Sequence, residues 1–258
     1  MTPDANPTGP EYDDAQRDSA PSRSPFAADA ANLVSPLTVV LVRHGVTDMT
    51  LTHALSGSGE VGPSLNAQGR IQVAKAADAI YNIGRRSWPH LAHVSRVFAS
   101  PMTRTQETGG ALGRRVGAHV ETDDRVREIH FGEWEGLTGD EVAERFGDAI
   151  HRWRFSEIPA PGGESIAEVG ARMDAFLTDV ARQHAVLAAE GRDELRTWAV
   201  ASHAVAIKSA VGVSLGMDPR TWGAIWPQPA SLTMLRLHVD TNGDIIERHV
   251  LCVGAPTD

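Results

Sequence analysis

Leu37-Thr38-Val39-Val40-Leu41-Val42-Arg43-His44-Gly45 is the stretch on which the fold turns. From Leu37 to Val42 every residue is apolar or β-branched and none is charged, which suits a strand buried on both faces of a parallel sheet. The run ends on a cation, an imidazole and a flexible residue. In an open α/β sheet, ligands bind beyond the carboxyl ends of the strands. Arg43 and His44 therefore stand where an anion can be gripped and attacked, and phosphate is the natural candidate.

Outward from this stretch, strand-like and helix-like segments alternate. Asn66 predicts a helix cap, with a helix to about Asn82 burying Ile71, Ala74, Ala77, Ile80 and Tyr81. Val94 to Ser100 reads as a second buried strand. Pro101 suits the first turn of a helix running to about Leu112. Arg125 to Ile129 reads as extended, and Leu137 to Phe146 as helical. Pro159, Pro161, Gly162 and Gly163 mark a loop. Ser165 with Glu168 forms a capping box, and Ile166, Val169, Met173, Phe176, Leu177 and Val180 give the long helix behind it an apolar face. Thr197 to Ser202 is another strand, and a short helix follows His203. Asn242-Gly243 joins the last two strands, Leu232 to Val239 and Ile245 to Val250, as a hairpin. Such alternation predicts an α/β domain with a mostly parallel sheet.

Composition limits the function. The net charge is −9 with no compensating basic run, which argues against nucleic-acid binding. No apolar stretch approaches the roughly 20 residues that cross a bilayer, and the start lacks the features of a signal peptide, so no membrane partner is expected. Cys252 is the single cysteine. That excludes an intrachain disulfide and a cysteine-based zinc site, and a cytoplasmic setting is expected. Residues 1–35, rich in Pro, Ala, Ser and Asp, are expected to be a disordered tail, with the folded domain spanning 36–254.

Four segments put chemically capable residues at predicted strand ends: Arg43-His44-Gly45, Ser100-Pro101-Met102-Thr103-Arg104, Arg127-Glu128-Ile129 and Ser202-His203-Ala204. Three of them feed or approach helix N-termini, whose free N–H groups attract anions. Taken singly, each has a plain reading. Arg43-His44 is then a surface or capping pair, Arg104 a solvated charge, Glu128 an ion-pair partner of Arg125 or Arg127, and His203 a neighbour of a cap. Together, two arginines, two histidines and a glutamate suit phosphoryl transfer without a metal. The other histidines, at 53, 90, 93, 119, 151, 184, 238 and 249, read as ordinary surface or core residues, with no metal-ligand spacing among them.

The order of these segments resembles the histidine phosphatase superfamily, with its phosphoglycerate mutase-like fold. The likeness runs from about Leu37 to Val250. Leu41 to Thr47 is similar to the nucleophile motif, Ser100 to Thr108 to the second-arginine motif, and Arg127 to Gly136 to the acid motif. Pro161-Gly162-Gly163-Glu164-Ser165 and Ala201-Ser202-His203 complete the set. The resemblance implies a three-layer α/β/α sandwich and a phosphohistidine on His44. It also implies a clamp from Arg43 and Arg104, completion of the phosphate pocket by His203, and proton transfer by Glu128. Thr47, Thr50 and Ser56 are candidates for contact with substrate, as are Leu55, His130 and Trp134 on the leaving-group side.

Some positions depart from the pattern. Thr50 and Ala54 stand where many members carry Asn and Arg, Ala204 where glycine is frequent, and Pro229 where asparagine is common. Without an arginine at 54, a second anionic grip on the substrate is missing from this loop. The connection between Gly136 and Glu164 is shorter than in mutases of the phosphoglycerate type. The resemblance thus implies a metal-independent, cofactor-free phosphomonoesterase acting on a small sugar phosphate or phosphoglycerate-like metabolite. The alternatives are a cofactor-dependent phosphoglycerate mutase-type phosphotransferase and a non-catalytic phosphate-binding protein. Lys75 and Lys208 are the only lysines, a bias expected of a GC-rich bacterial source. Trp222 and Trp226, beside a proline-containing turn, are candidates for a homodimer seam or for burial in the monomer, and burial is the preferred reading.

Overall fold

A computed structural model describes residues 32–257. The expected tail lies almost wholly outside the described residues. Leu33 makes a bridge to Asp240, and the Val34 N–H donates to the Val239 carbonyl at 2.9 Å.

The elements follow in the order β1 (Leu37–Arg43), α1 (Asp48–Leu51), α2 (Ala67–Asn82), β2 (Val94–Ala99), α3 (Thr103–Val116) and β3 (Val120–Thr122). Then come α4 (Gly139–Phe146), α5 (Ala149–Arg154), α6 (Ile166–Ala189), β4 (Arg196–Ser202), α7 (Ala204–Ser214), β5 (Leu232–Val239) and β6 (Ile245–Ala255). The six strands form one sheet in the order β3-β2-β4-β1-β5-β6. β3, β2, β4 and β1 are parallel, while β5 and β6 add an antiparallel edge.

β1 lies inside the sheet with helices on both sides, and its alternate residues serve two cores. Val39 and Leu41 join Phe98, Trp198 and the inner residues of α6 and α7. Val40 and Val42 join Ala99, Ala201 and the inner residues of α2 and α3. This is the expected three-layer sandwich. The capping box of α6 is present, with the Ser165 hydroxyl accepting from the Glu168 N–H and the Glu168 carboxylate accepting from the Ser165 N–H. All the predicted inner residues of α6 are buried. In the hairpin turn, Gly243 takes φ +88°, a value that glycine adopts without steric cost.

Three local expectations need correction. The buried face of α2 is Gly69, Val73, Ala76, Ala77 and Ile80, while Ile71 is 63% exposed. Gly69 permits a close approach to the Val46 backbone, where a Cβ would lie 2.1 Å from the carbonyl oxygen, and the larger Ile71 is left in water. Pro101 lies two residues before α3, whose cap residue is Met102, and the helix runs on to a left-handed Gly117. Arg125 is part of a short 3-10 turn, Asp124–Val126, and only the residues after it are extended. Strand β3 falls between the elements expected from sequence. Trp222 is buried between α6 and α7: a Cβ on Gly170 or Gly212 would lie 2.5 or 2.3 Å from its indole ring. Trp226 is 61% exposed. No helix among the described residues is long and apolar enough to cross a membrane.

Candidate active site

Three parallel strands deliver the polar residues to one edge of the sheet. β1 ends in Arg43 and His44, β2 leads through Ser100 to Arg104 in α3, and β4 ends at Ser202 and His203. Ser202 stands opposite Arg43 in the β1–β4 ladder, so the two histidines that follow are neighbours, with ring centroids 5.2 Å apart. Both are buried.

The tautomer of His44 follows from its surroundings. Its Nδ1 lies 2.7 Å from the Gly45 carbonyl, an acceptor only, so Nδ1 carries the proton and Nε2 keeps its lone pair. Burial, and then the charges of Arg104 and Arg43, push its pKa well below the ordinary histidine value, against the pull of the Gly45 hydrogen bond. His44 is therefore neutral. His203 is also driven well down, by burial first and then by Arg104 and His44. Its Nε2 is 2.8 Å from Ser100 Oγ, while its buried Nδ1 has no protein partner.

The two arginines leave donors free for a ligand. Arg43 donates one bond through Nη1 to the Pro227 carbonyl at 2.9 Å, and its buried Nε has no partner. Arg104 donates through Nη2 to the Ser56 and Gly57 carbonyls at 2.9 and 3.1 Å, while Nε and Nη1 are buried and unpartnered. Such donors are rare in a folded interior unless a ligand or water completes them. Burial lowers the Arg104 pKa to about 10, opposed by Glu128 and Glu135. It stays charged at neutral pH. Gly62, at φ +80°, presses so close that a Cβ would lie 2.4 Å from Arg104 Nη1. The loop 56–62 is thus fitted to this guanidinium.

Glu128 is buried and is held by main chain. Its carboxylate accepts from the N–H groups of Val205 (3.1 and 3.2 Å), Ala206 (3.2 Å) and Ile129 (3.0 Å). Val205 and Ala206 open α7, whose cap residue, His203, makes no side-chain cap bond. Glu128 therefore satisfies helix donors from outside and lies at the positive end of the helix dipole. The ion-pair reading fails for it, since Arg125 pairs with Asp123 and Asp179, and Arg127 with Asp124 and Glu164.

The remaining candidates fall into two groups. Thr47 and Thr50 form a reciprocal capping box at the start of α1, with their hydroxyl oxygens 3.0 Å apart. Ser56 holds Arg104 through its carbonyl and lines an open cleft of about 360 Å³. Met49, Glu60, Gly62, Glu135 and Gly136 also border that cleft. Ala54 pairs through its backbone with Thr138. Ala204 has a negative φ, so its methyl is accommodated at the start of α7. Ala230, next to Pro229, takes φ +59° and donates its N–H to the Arg43 carbonyl at 3.0 Å.

Two supporting residues went unread in the sequence. Arg172, inside α6, donates to the carbonyls of Arg125, Arg127 and Glu128 at 2.8, 2.6 and 3.0 Å. It also grips both oxygens of Glu164 at 3.1 Å. Burial pushes the Glu164 carboxyl up, but Arg172, the His130 N–H and Arg127 outweigh it and hold the pKa below the ordinary value. Glu135 accepts from the N–H groups of Gly57, Gly59 and Phe131, tying the 56–62 loop to the acid segment. An arginine next to the apolar positions Val169, Met173 and Phe176 of α6 was the available signal for the first.

A buried neutral imidazole with a free lone pair thus lies between arginines with unused donors, an arrangement suited to an anion. The chain belongs to the histidine phosphatase superfamily (branch 1), whose family model matches residues 39–248. It is 30% identical over 207 residues to a bifunctional protein of Mycobacterium tuberculosis, an alignment covering 80% of this chain and 52% of that protein. The chain thus spans about half the length of that relative. It is 29% identical to a glucosyl-3-phosphoglycerate phosphatase of Mycolicibacterium vanbaalenii, covering 80% of this chain and 87% of the other. A solved mycobacterial glucosyl-3-phosphoglycerate phosphatase superposes with a TM-score of 0.72 at 26% identity, covering 85% of this chain and 99% of the other.

Proposed function

We propose that this protein is a metal-independent phosphomonoesterase that hydrolyses a small phosphorylated metabolite through a phosphohistidine on His44. The observation that carries the reading is the 2.7 Å contact of His44 Nδ1 with the Gly45 carbonyl. It leaves Nε2 as a lone-pair nucleophile in a site where burial and two arginines keep the ring neutral.

In this reading His44 Nε2 attacks phosphorus in line, forming an N–P bond as the ester P–O bond breaks. Glu128 gives a proton to the departing oxygen. Arg43, Arg104 and His203 hold the phosphoryl oxygens as charge redistributes. Water then attacks the phosphohistidine, Glu128 takes its proton, and inorganic phosphate and neutral His44 are released. Thr47, Thr50 and Ser56 contact the substrate at the mouth of the site. The names of the mycobacterial relatives, glucosyl-3-phosphoglycerate phosphatases, support a glycosylated phosphoglycerate type of substrate. The lack of a cation at Ala54, with Glu60 and Glu135 lining the adjoining cleft, favours placing the neutral polyhydroxy part of the leaving group in that cleft. The short connection between Gly136 and Glu164 favours hydrolysis over mutase transfer. A cytoplasmic setting also belongs to this reading, supported by the single cysteine, and exposed Trp226 is the candidate for a homodimer seam.

The test is a rapid-quench experiment with a labelled phosphomonoester in EDTA. Acid-labile label should appear on the native protein and be missing from His44→Ala. Steady turnover with no label on His44 in any quench would remove the proposed intermediate.

A further inference from the structure

The hairpin β5–β6 brings together three metal-ligating side chains that no sequence spacing connects. His238 stands directly opposite Glu247 in the antiparallel ladder, and His249 follows Glu247 by two residues. Residues paired across a ladder or two apart along a strand share one face of the sheet. We propose that His238, Glu247 and His249 form a binding site for a divalent transition metal, with zinc the best match.

Their donor atoms all lie within 4.8 Å of one another. His249 Nε2 and Glu247 Oε1 are 3.0 Å apart, close to the spacing of two ligands on one zinc ion, which follows from bonds of about 2.0–2.2 Å. Bonds of that length set tetrahedral ligands about 3.3–3.6 Å apart, so donors as far as 4.8 Å from each other have to close in by up to about 1.5 Å, by side-chain rotation. His238 is the member that lacks a protein partner: its Nε2 is shielded from solvent and makes no hydrogen bond. The neutral imidazole is the form that ligates. Two imidazoles and a carboxylate suit zinc, whereas calcium and magnesium take oxygen ligands.

One neighbour works against a cation. Arg236, opposite His249, is on the same face, and the Glu247 carboxylate has to offset its charge. The site is also remote from the phosphate pocket. Leu237 pairs with Leu37 at the start of β1, and His44 follows its far end. Seven residues of strand at about 3.3 Å each separate the two regions. A metal here takes no part in hydrolysis. It joins the edge strand β6 to β5 and leaves a fourth coordination position for water or another donor.

The test uses the full chain, freed of any histidine tag and treated with chelator, titrated with zinc by calorimetry and with cobalt by visible absorption. About one equivalent should bind, cobalt giving tetrahedral d–d bands, and zinc should raise Tm. His238→Ala and His249→Ala should each weaken binding by about tenfold or more. His44→Ala should bind zinc like the native chain, and His238→Ala should keep native hydrolysis of p-nitrophenyl phosphate. Absence of saturable binding, or binding unchanged in both hairpin variants, would overturn the proposal. So would binding lost in His44→Ala but kept in His238→Ala, which places the metal in the phosphate pocket.

Discussion

Acid should destabilise this protein through its two site histidines, by an amount that can be worked out. The folded chain holds His44 and His203 well below the ordinary histidine pKa, chiefly by burial. Unfolding returns both to about 6.5. Above that value both states bind the same number of protons at these residues, and stability is full. Below it the unfolded chain takes up protons that the folded chain refuses, so stability falls until the folded-state values are reached. Between pH 7 and 5.5 each histidine that stays neutral costs on the order of 1 kcal/mol, and the pair about 2–3 kcal/mol. The assay is urea unfolding at both pH values, in phosphate-free buffer, for the native chain and for His44→Asn with His203→Asn. The native chain should lose about 2–3 kcal/mol more than the double variant. His184 and His238, also held low, are common to both proteins and cancel in the difference. Equal losses would show that the site histidines protonate freely when folded, and the argument for a neutral His44 nucleophile would fall with it.

Three further outcomes are expected. Arg104→Ala should lower kcat by about 10²–10³, in line with removal of one preorganised donor, and Arg104→Lys should restore little of it because an ammonium cannot hold the Ser56 and Gly57 carbonyls and a phosphate together; kinetics on p-nitrophenyl phosphate decides. Glu128→Gln should slow hydrolysis of an alkyl phosphate by about 10²–10⁴ but affect p-nitrophenyl phosphate far less, since nitrophenolate departs without a proton; equal losses on both esters would count against proton donation. Arg172→Met should cost about 1–3 kcal/mol in urea unfolding by leaving the Arg125, Arg127 and Glu128 carbonyls without their side-chain donor while Arg127 still pairs with Glu164, and should lower kcat as the Glu128 segment loosens; a change under about 0.5 kcal/mol, as at ordinary surface positions, would contradict the network described.

The architecture was legible wherever a local rule has a strong physical cause. Buried strands show as uncharged β-branched runs, the Ser165–Glu168 box marks the start of α6, and Asn242-Gly243 marks the hairpin turn. The errors fell where local rules are weak. In α2, alanine dominates, so the apolar pattern fixes the helical period but not its phase, and Ile71 was assigned to the wrong side. Strand β3 is three residues long, too short to show alternation. Arg172 escaped because its partners are main-chain carbonyls of a segment more than 40 positions away.

The sequence by itself determined the kind of chemistry. Arg43, His44, Arg104, Glu128 and His203 suit phosphoryl transfer, and their order resembles that of the histidine phosphatase superfamily, to which the chain belongs. Tertiary structure decided the state of those groups. That His44 is neutral with Nε2 free depends on burial and on a carbonyl at 2.7 Å. That Glu128 rests on the first turn of α7 depends on Arg172 holding its loop from α6. The hairpin register likewise turns His238, Glu247 and His249 from scattered surface residues into a cluster. Charge state, tautomer and convergence depend on what lies within a few ångströms, and only the folded chain supplies those neighbours.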